Sequence, residues 1–156
     1  MLMDEPRGRW FDELEVGQVY PHRPHRTITE SDNVFFTALS MNTQSLHLDA
    51  EYAAATEFGR PLVNSMFTLA LVVGLSVGNL TERTIVANLG FGEIRFPAPV
   101  FHGDTIRVST TVLSKRPSVS RPNQGVVELE HTGTNQRDEV VCVARRSVLF
   151  RTDPSR

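Results

Sequence analysis

Alternating polar and apolar positions dominate the second half of the chain. From residue 106 to residue 112, every second side chain is apolar or a threonine, and the side chains between them are polar. This period of two, with its enrichment in β-branched residues, is typical of strands that bury one face. The pattern predicts four strands, with a hairpin turn at 135–139 between the last two. The strands cover residues 84–96, 104–115, 125–134 and 140–150.

The stretch that precedes these strands is apolar on every side. Between residues 62 and 78 nearly every side chain is apolar or small, which is typical of a buried helix rather than an amphipathic one. We therefore predict a helix over 62–78 whose buried side chains include Val63, Phe67, Ala70 and Leu71. A long apolar helix followed by antiparallel strands indicates an α+β fold in which a curved sheet wraps a central helix.

Capping signals predict two shorter helices in the first third of the chain. Thr29, followed by an aspartate three residues later, resembles a capping box and predicts a helix over 31–39. Asp49 is a suitable N-cap for an alanine-rich helix over 50–56. Residues 41–48 follow neither period, so we predict a loop there.

The composition fits one globular domain. Of the 156 residues, 40% are hydrophobic and 22% are charged, and we expect a flexible arm over 1–9 followed by a single domain over 10–151. The formal net charge of −2 gives no basic field for nucleic acid. The longest apolar run, residues 69–75, is too short to span a bilayer, and no signal-peptide pattern precedes it. These features favour a soluble, cytoplasmic protein. The single cysteine, Cys142, excludes an internal disulfide and predicts a small buried side chain.

Two places in the first half carry side chains suited to chemistry. His47 lies five residues after Asn42, where it either forms a local hydrogen bond or acts as a base. The other histidines lack metal-ligand spacing, so we expect no metal. The dipeptide Asn64-Ser65 opens the apolar helix, where it caps the helix and presents free N–H groups that could hold an oxyanion. These two roles are compatible.

A small group of cations lies in the second half. Lys115, Arg116 and Arg121 surround two prolines in a loop between strands. They either clamp the phosphates of a nucleotide-like carrier or form a solvated hairpin tip. Arg95, on the preceding strand, is a further candidate.

Three segments resemble the signature of MaoC-like dehydratases and (R)-specific enoyl-CoA hydratases: HLDAEYAA at 47–54, FGRPLV at 58–63 and FPAPVFHGD at 96–104. The resemblance runs from about residue 10 to residue 150 and keeps the order of the family. It implies the hot-dog fold, in which a curved antiparallel sheet wraps a long helix. It also implies dimers that act on acyl thioesters of coenzyme A or acyl carrier protein.

The resemblance also implies a reaction: water adds across a trans-2-enoyl thioester, or leaves the 3-hydroxyacyl thioester. In the family an Asp and a His five residues later activate the water, and a backbone N–H at the start of the helix polarises the thioester carbonyl. His47 matches the His position, and Ser65 matches the backbone position. The chain departs from the family at three places. Asn42 replaces the Asp, Gln44-Ser45 replaces an Asn-Pro, and Asn64-Ser65 replaces a His-Gly.

Asn42 leaves three mechanisms open, because an amide cannot accept a proton as a carboxylate does. Either His47 transfers protons alone while Asn42 and Gln44 orient the water, or Asp49 folds back into the site against its capping role, or hydration is lost. We expect a hydratase or dehydratase without a cofactor, since CoA is part of the substrate, and a branched or dicarboxylic acyl group would explain Asn42. The alternatives are a hot-dog thioesterase, which the absence of Asp and Glu over 62–80 disfavours, and a non-catalytic acyl-CoA-binding subunit.

Overall fold

The structure, a computed structural model, describes residues 6–155. It contains four helices and six strands within that range, together with a 3₁₀ turn at Phe11–Glu13 and a π-helical turn at Val77–Thr81. The helices are α1 (Glu30–Leu39), α2 (Ser45–Leu48), α3 (Ala50–Ala54) and α4 (Ser65–Leu75), and the strands are β1 (Val19–Pro21), β2 (Arg26–Thr27), β3 (Ile85–Arg95), β4 (Thr105–Pro117), β5 (Gln124–Thr134) and β6 (Val140–Arg151).

The strands form one antiparallel sheet in the order β1-β4-β5-β6-β3, and β2 pairs with the start of β4. The four predicted strands are confirmed to within two residues at every end. Along β4 and β5, buried residues alternate with half-buried ones, so one face of the sheet forms the core. Strand β3 ends the sheet, and eight successive residues of it are exposed.

Helix α4 packs on the buried face of the sheet through Thr68 and Val72. It comes so close to β5 that a Cβ on Gly133 would lie 2.6 Å from a methyl group of Val72. The predicted helix over 62–78 is shorter than expected, because an N-cap delays its start and the π-helical turn ends it. Its burial was also predicted wrongly in part. Ala70 is exposed, because the sheet of one chain covers only one side of the helix.

Of the other three residues predicted to be buried in that helix, Val63 is buried, whereas Phe67 and Leu71 are half-buried. Helix α1 provides part of the cover on the outer side. Its Phe36 ring lies 5.3 Å, centroid to centroid, from Phe67. The rest of the side of α4 that faces away from the sheet is uncovered within the described residues, and Met66 on it is 48% exposed.

A chain of hydrogen-bonded polar side chains crosses the buried core. Thr110 on β4 bonds the imidazoles of His22 and His131, at 2.7 and 2.6 Å, and Arg146 on β6 donates to His131 at 2.7 Å. Burial, reinforced by the charge of Arg146 and by His22, lowers the pKa of His131 to about 3. Burial also lowers the pKa of Arg146 to about 10. His131 is therefore neutral in the folded protein at ordinary pH.

The first third of the chain confirms both capping predictions. The Thr29 hydroxyl accepts from the N–H of Asp32, whose carboxylate accepts in turn from the N–H of Thr29. Asp49 caps α3 through the N–H of Tyr52. The prediction of a loop over 41–48 is wrong, because α2 lies within it. A single four-residue turn is too short to show a helical period.

The predicted flexible arm lies partly outside the described residues, which exclude 1–5. Within the remainder, the N–H groups of Gly8 and Arg9 donate at 2.8 Å to the carbonyls of Glu82 and Leu80. This segment is therefore attached to the domain, and the ordered chain begins before Trp10. Cys142 is buried as predicted, and burial raises its pKa to about 11. No helix of the described chain has the length and apolar character needed to cross a membrane.

Candidate active site

His47 lies on α2 and is held by the backbone of the segment that leads into α4. Its Nδ1 lies 2.7 Å from the carbonyl oxygen of Leu62. A carbonyl only accepts, so Nδ1 must carry the proton, and the neutral ring presents Nε2 as a proton acceptor. The N–H of Leu62 donates to the carbonyl of Leu46 at 3.0 Å, so residue 62 is held through both of its backbone polar groups. The backbone thus sets both the position and the tautomer of His47.

The start of α4 provides a free amide close to this histidine. Asn64 caps the helix, with its side-chain oxygen accepting from the N–H of Met66 at 3.0 Å. Within residues 6–155, no acceptor bonds the N–H of Ser65, which is an exposed residue. An unbonded N–H at the positive end of a helix is suited to hold an oxyanion. Ser65 follows Leu62, whose carbonyl oxygen binds His47, by three residues, so the candidate base and the candidate oxyanion donor both adjoin the segment that leads into α4.

An apolar cavity of about 240 Å³ opens beside Ser65. Its walls come from the segment before α4, from α4 itself, from the loop between β3 and β4, and from the start of β6. The lining side chains include Phe58, Val63, Thr68, Phe96, Ala98 and Val141. A space of this size and apolar character has room for a short hydrocarbon chain beside Ser65.

The loop at 96–104 is held in place by Asp104. The carboxylate accepts from the N–H of Phe101 at 2.9 Å, from Gln136 at 2.7 Å and from Arg137 at 3.2 Å. Burial opposes its ionisation, but these donors hold the pKa of Asp104 below its ordinary value. Asp104 of the family signature therefore has a structural role, because it fixes the loop that forms part of the cavity wall.

Asn33 of α1 connects the parts of the site and was missed in the sequence analysis. Its side chain is fully buried. Oδ1 accepts from the N–H of Asn64 at 2.8 Å, and Nδ2 lies 3.2 Å from the carbonyl of Leu62 and 3.1 Å from Nε2 of His102. The only signal in the sequence is a polar residue on the face of a helix that also carries apolar residues, and that signal is common on helix surfaces.

Two other residues predicted for the reaction, Asn42 and Gln44, lie just before α2 and contact each other. The side-chain oxygen of Asn42 accepts from the N–H of Gln44 at 3.1 Å, which makes a tight local turn just before α2. Asn42 is half-buried and Gln44 is exposed. Their predicted role in orienting water stays a prediction.

The predicted phosphate ligands fall into two groups. Arg116 and Arg121 are exposed and line a shared pocket with Leu89 of β3, and their role as phosphate ligands stays a prediction. Lys115 differs, because its ammonium donates to the carbonyls of Phe11 and Leu14 at 3.2 and 2.6 Å. That ammonium also lies 4.9 Å from the centroid of the Phe11 ring. Lys115 therefore fastens the N-terminal segment to β4, and its assignment to phosphate binding is corrected.

Arg95 does not line the pocket of Arg116 and Arg121. Its guanidinium forms an exposed ion pair with Glu93 at 3.1 Å. The cavity and the pocket of Arg116 and Arg121 also lie far apart within one chain. Val141 at the cavity and Leu149 at the pocket are eight residues apart on β6, which is roughly 26 Å along a strand. Among the described residues no group of three or more metal-binding side chains occurs.

The curved antiparallel sheet that wraps a central helix is the hot-dog fold. In this chain a candidate base and a free helix amide lie at one end of that helix. The sequence model of the family described as MaoC like domain matches residues 12–135. This chain belongs to that family of MaoC-like dehydratase domains.

Two relatives and one solved structure show the range of the family. The chain is 33% identical to a β-methylmalyl-CoA dehydratase from Chloroflexus aurantiacus, over 95% of this chain and 42% of the relative. It is 32% identical to a mesaconyl-CoA hydratase from Cereibacter sphaeroides, over 92% of this chain and 41% of the relative. A MaoC-like dehydratase from Rhodospirillum rubrum has a similar structure, with a TM-score of 0.84 at 29% identity, covering 94% of this chain and 99% of that one. The chain spans about two fifths of the length of the two curated relatives.

Proposed function

We propose that this protein adds water to the 2,3 double bond of an enoyl-CoA thioester, or removes it from the 3-hydroxyacyl-CoA. The observation that carries the proposal is the bond from His47 Nδ1–H to the Leu62 carbonyl, three residues before the free N–H of Ser65. A base with its lone pair presented and an oxyanion donor in one place are the two groups that this reaction needs.

In the hydration direction, His47 Nε2 accepts a proton from water while the water oxygen bonds to C3 of the substrate. The electrons of the double bond move to the thioester oxygen, which becomes an enolate held by the Ser65 N–H. His47 then returns the proton to C2, and the 3-hydroxyacyl thioester is complete. Asn42 and Gln44 orient the water by hydrogen bonds, since neither amide accepts a proton. No cofactor takes part, because CoA belongs to the substrate.

The acyl group that we propose is short and is either branched or dicarboxylic. The two curated relatives named above are a β-methylmalyl-CoA dehydratase and a mesaconyl-CoA hydratase. The cavity of about 240 Å³ supports a short chain. The replacement of the usual Asp by Asn42 supports an acidic substrate, because it removes a negative charge that would repel a substrate carboxylate.

We further propose that two copies pair through β3. This strand ends the sheet, and its exposed residues include Val86, Leu89 and Phe91, which favour pairing with a second edge. A two-fold axis near the middle of β3 would bring the pocket of Arg116 and Arg121 toward the cavity of the partner. The nucleotide phosphates of CoA would then be bound by one copy and the acyl group by the other.

Two measurements test the pairing. Light scattering should give roughly twice the chain mass of 17.5 kDa, and a mass of one chain at micromolar concentration would exclude the dimer. Changing Arg116 and Arg121 to Ser should raise KM roughly tenfold or more, through loss of charge-assisted bonds to phosphate. KM for a pantetheine thioester, which lacks the nucleotide, should not change.

The reaction is tested with crotonyl-CoA and mesaconyl-CoA in parallel. Loss of enoyl absorbance indicates hydration, and release of free thiol indicates a thioesterase. His47→Ala should lower the rate by roughly 10²–10⁴-fold, the range for loss of a general acid-base group. His25→Ala, which removes a histidine from a different pocket, is the matched control. Wild-type rates in His47→Ala, or thiol release without hydration, would refute the proposal. The cytoplasmic location and the absence of nucleic-acid partners stay predictions.

A further inference from the structure

We propose that Asn33 is a positioning residue, which holds the base His47 and the N–H of Ser65 in one fixed relation. This inference rests on the proposed function. Asn33 belongs to α1, yet its side chain reaches both the carbonyl that binds His47 and the peptide that precedes Ser65.

The orientation of the Asn33 amide follows from its partners. The N–H of Asn64 only donates, so the atom that faces it at 2.8 Å must be the side-chain oxygen. The NH₂ group therefore faces Leu62 and His102. Nδ2 lies 3.2 Å from the Leu62 carbonyl, 3.1 Å from Nε2 of His102 and 3.5 Å from the carbonyl of His47.

The Leu62 carbonyl consequently accepts two hydrogen bonds, from His47 and from Asn33. These donors occupy both lone pairs of the oxygen, so the carbonyl cannot rotate toward either without losing the other. The same Asn33 side chain holds the N–H of Asn64, two residues further along. The peptide of Ser65 comes next, and its direction is set by this arrangement. One buried amide thus fixes the distance between the base and the oxyanion donor.

Thr37 gives a matched control on the same helix. It lies one turn after Asn33, is also fully buried, and bonds the side chain of Asn64 at 3.4 Å. Its side chain has no bond to the Leu62 carbonyl or to the N–H of Asn64 within the described residues. Thr37→Val therefore removes a buried hydrogen bond of α1 and leaves the two peptides of the site as they are.

The experiment compares Asn33→Leu with Thr37→Val in steady-state hydration and in thermal melting. Asn33→Leu should lower kcat roughly 10–100-fold with KM within about threefold, because misalignment of reacting groups affects the chemical step. Thr37→Val should lower the melting temperature and keep kcat within about threefold of the wild type. In the His47→Ala background, Asn33→Leu should reduce kcat by less than about threefold, since groups that act as a unit are not additive.

A second variant serves if Asn33→Leu does not fold. Asn33→Asp keeps the acceptor for Asn64 but replaces the NH₂ donor at the Leu62 carbonyl with a carboxylate oxygen, so kcat should fall while KM stays within about threefold. A folded Asn33→Asp protein with the kcat of the wild type would refute the positioning role.

The outcomes are distinct. A wild-type protein that hydrates no thioester refutes the proposed function. An active wild type in which Asn33→Leu and Thr37→Val have the same kcat refutes the positioning role alone. Equal losses from Asn33→Leu with and without His47 refute it as well.

Discussion

Lowering the pH from 7 to 5 should destabilise this fold chiefly through His131. Burial holds the pKa of this imidazole at about 3, against 6.5 in an exposed histidine. Between these values the unfolded chain binds a proton at His131 that the folded chain does not bind. The stabilisation is therefore complete above pH 6.5 and is lost as the pH falls toward 3.

The loss between pH 7 and pH 5 is about 2 kcal/mol from this residue, a large part of the free energy of unfolding of a small domain. His22 adds to it in the same direction, because burial also lowers its pKa. Carboxylates such as Asp32 and Asp104 have lowered pKa values too. They titrate in the unfolded chain near pH 4, so they add little above pH 5.

Urea unfolding at pH 7, 6 and 5 measures the effect in the wild type and in His131→Gln. Glutamine can bond Thr110 and Arg146 but cannot titrate, so it is the matched control for His131. Between pH 7 and pH 5, the free energy of unfolding should fall by about 2 kcal/mol less in His131→Gln than in the wild type. Parallel curves for the two proteins would refute the reasoning, because they would show that His131 is accessible to protons in the folded state.

Three further changes should have separate effects. Thr29→Ala removes a side-chain cap and should cost about 1 kcal/mol in urea unfolding at constant activity; no loss would show that the capping box is not formed in solution. Gly125→Ala places a methyl group against the ring of Phe11 and should lower the free energy of unfolding by about 1–3 kcal/mol. The control Gly78→Ala meets open space and should lower it less in the same assay. Equal losses in the two variants would contradict the contact. Asn42→Asp restores the carboxylate of the family signature and should raise the hydration rate of crotonyl-CoA; an unchanged or lower rate would show that the carboxylate is not what this site lacks.

The strands were predictable because their pattern is local. Along β4 the alternation of buried and half-buried residues is the alternation visible in the sequence, so both strand ends follow within two residues. The caps at Thr29 and Asp49 were predictable for the same reason, since each bond joins residues three positions apart. His47 and Ser65 were identified through the family signature, and the structure binds His47 to Leu62 in the segment that leads to Ser65.

The remainder depends on contacts between distant residues. Asn33 bonds residues about thirty positions away, and Lys115 bonds the carbonyl of Phe11 from the other half of the chain. A local pattern contains no information about such partners. The exposed side of α4, at Ala70, was missed because an apolar helix indicates burial without indicating which chain provides the cover.

The acceptor that fixes the proton of His47 belongs to the main chain, and this has a consequence for how the protein can evolve. A side-chain acceptor can be lost by one substitution, whereas every residue at position 62 supplies the same carbonyl. Position 62, whose side chain lines the cavity, is therefore free to vary in size and to reshape the cavity while the tautomer of His47 is inherited unchanged. Substrate preference and catalytic competence can then drift independently. Insertions or deletions between 47 and 62 would couple them, because they displace the peptide that binds His47.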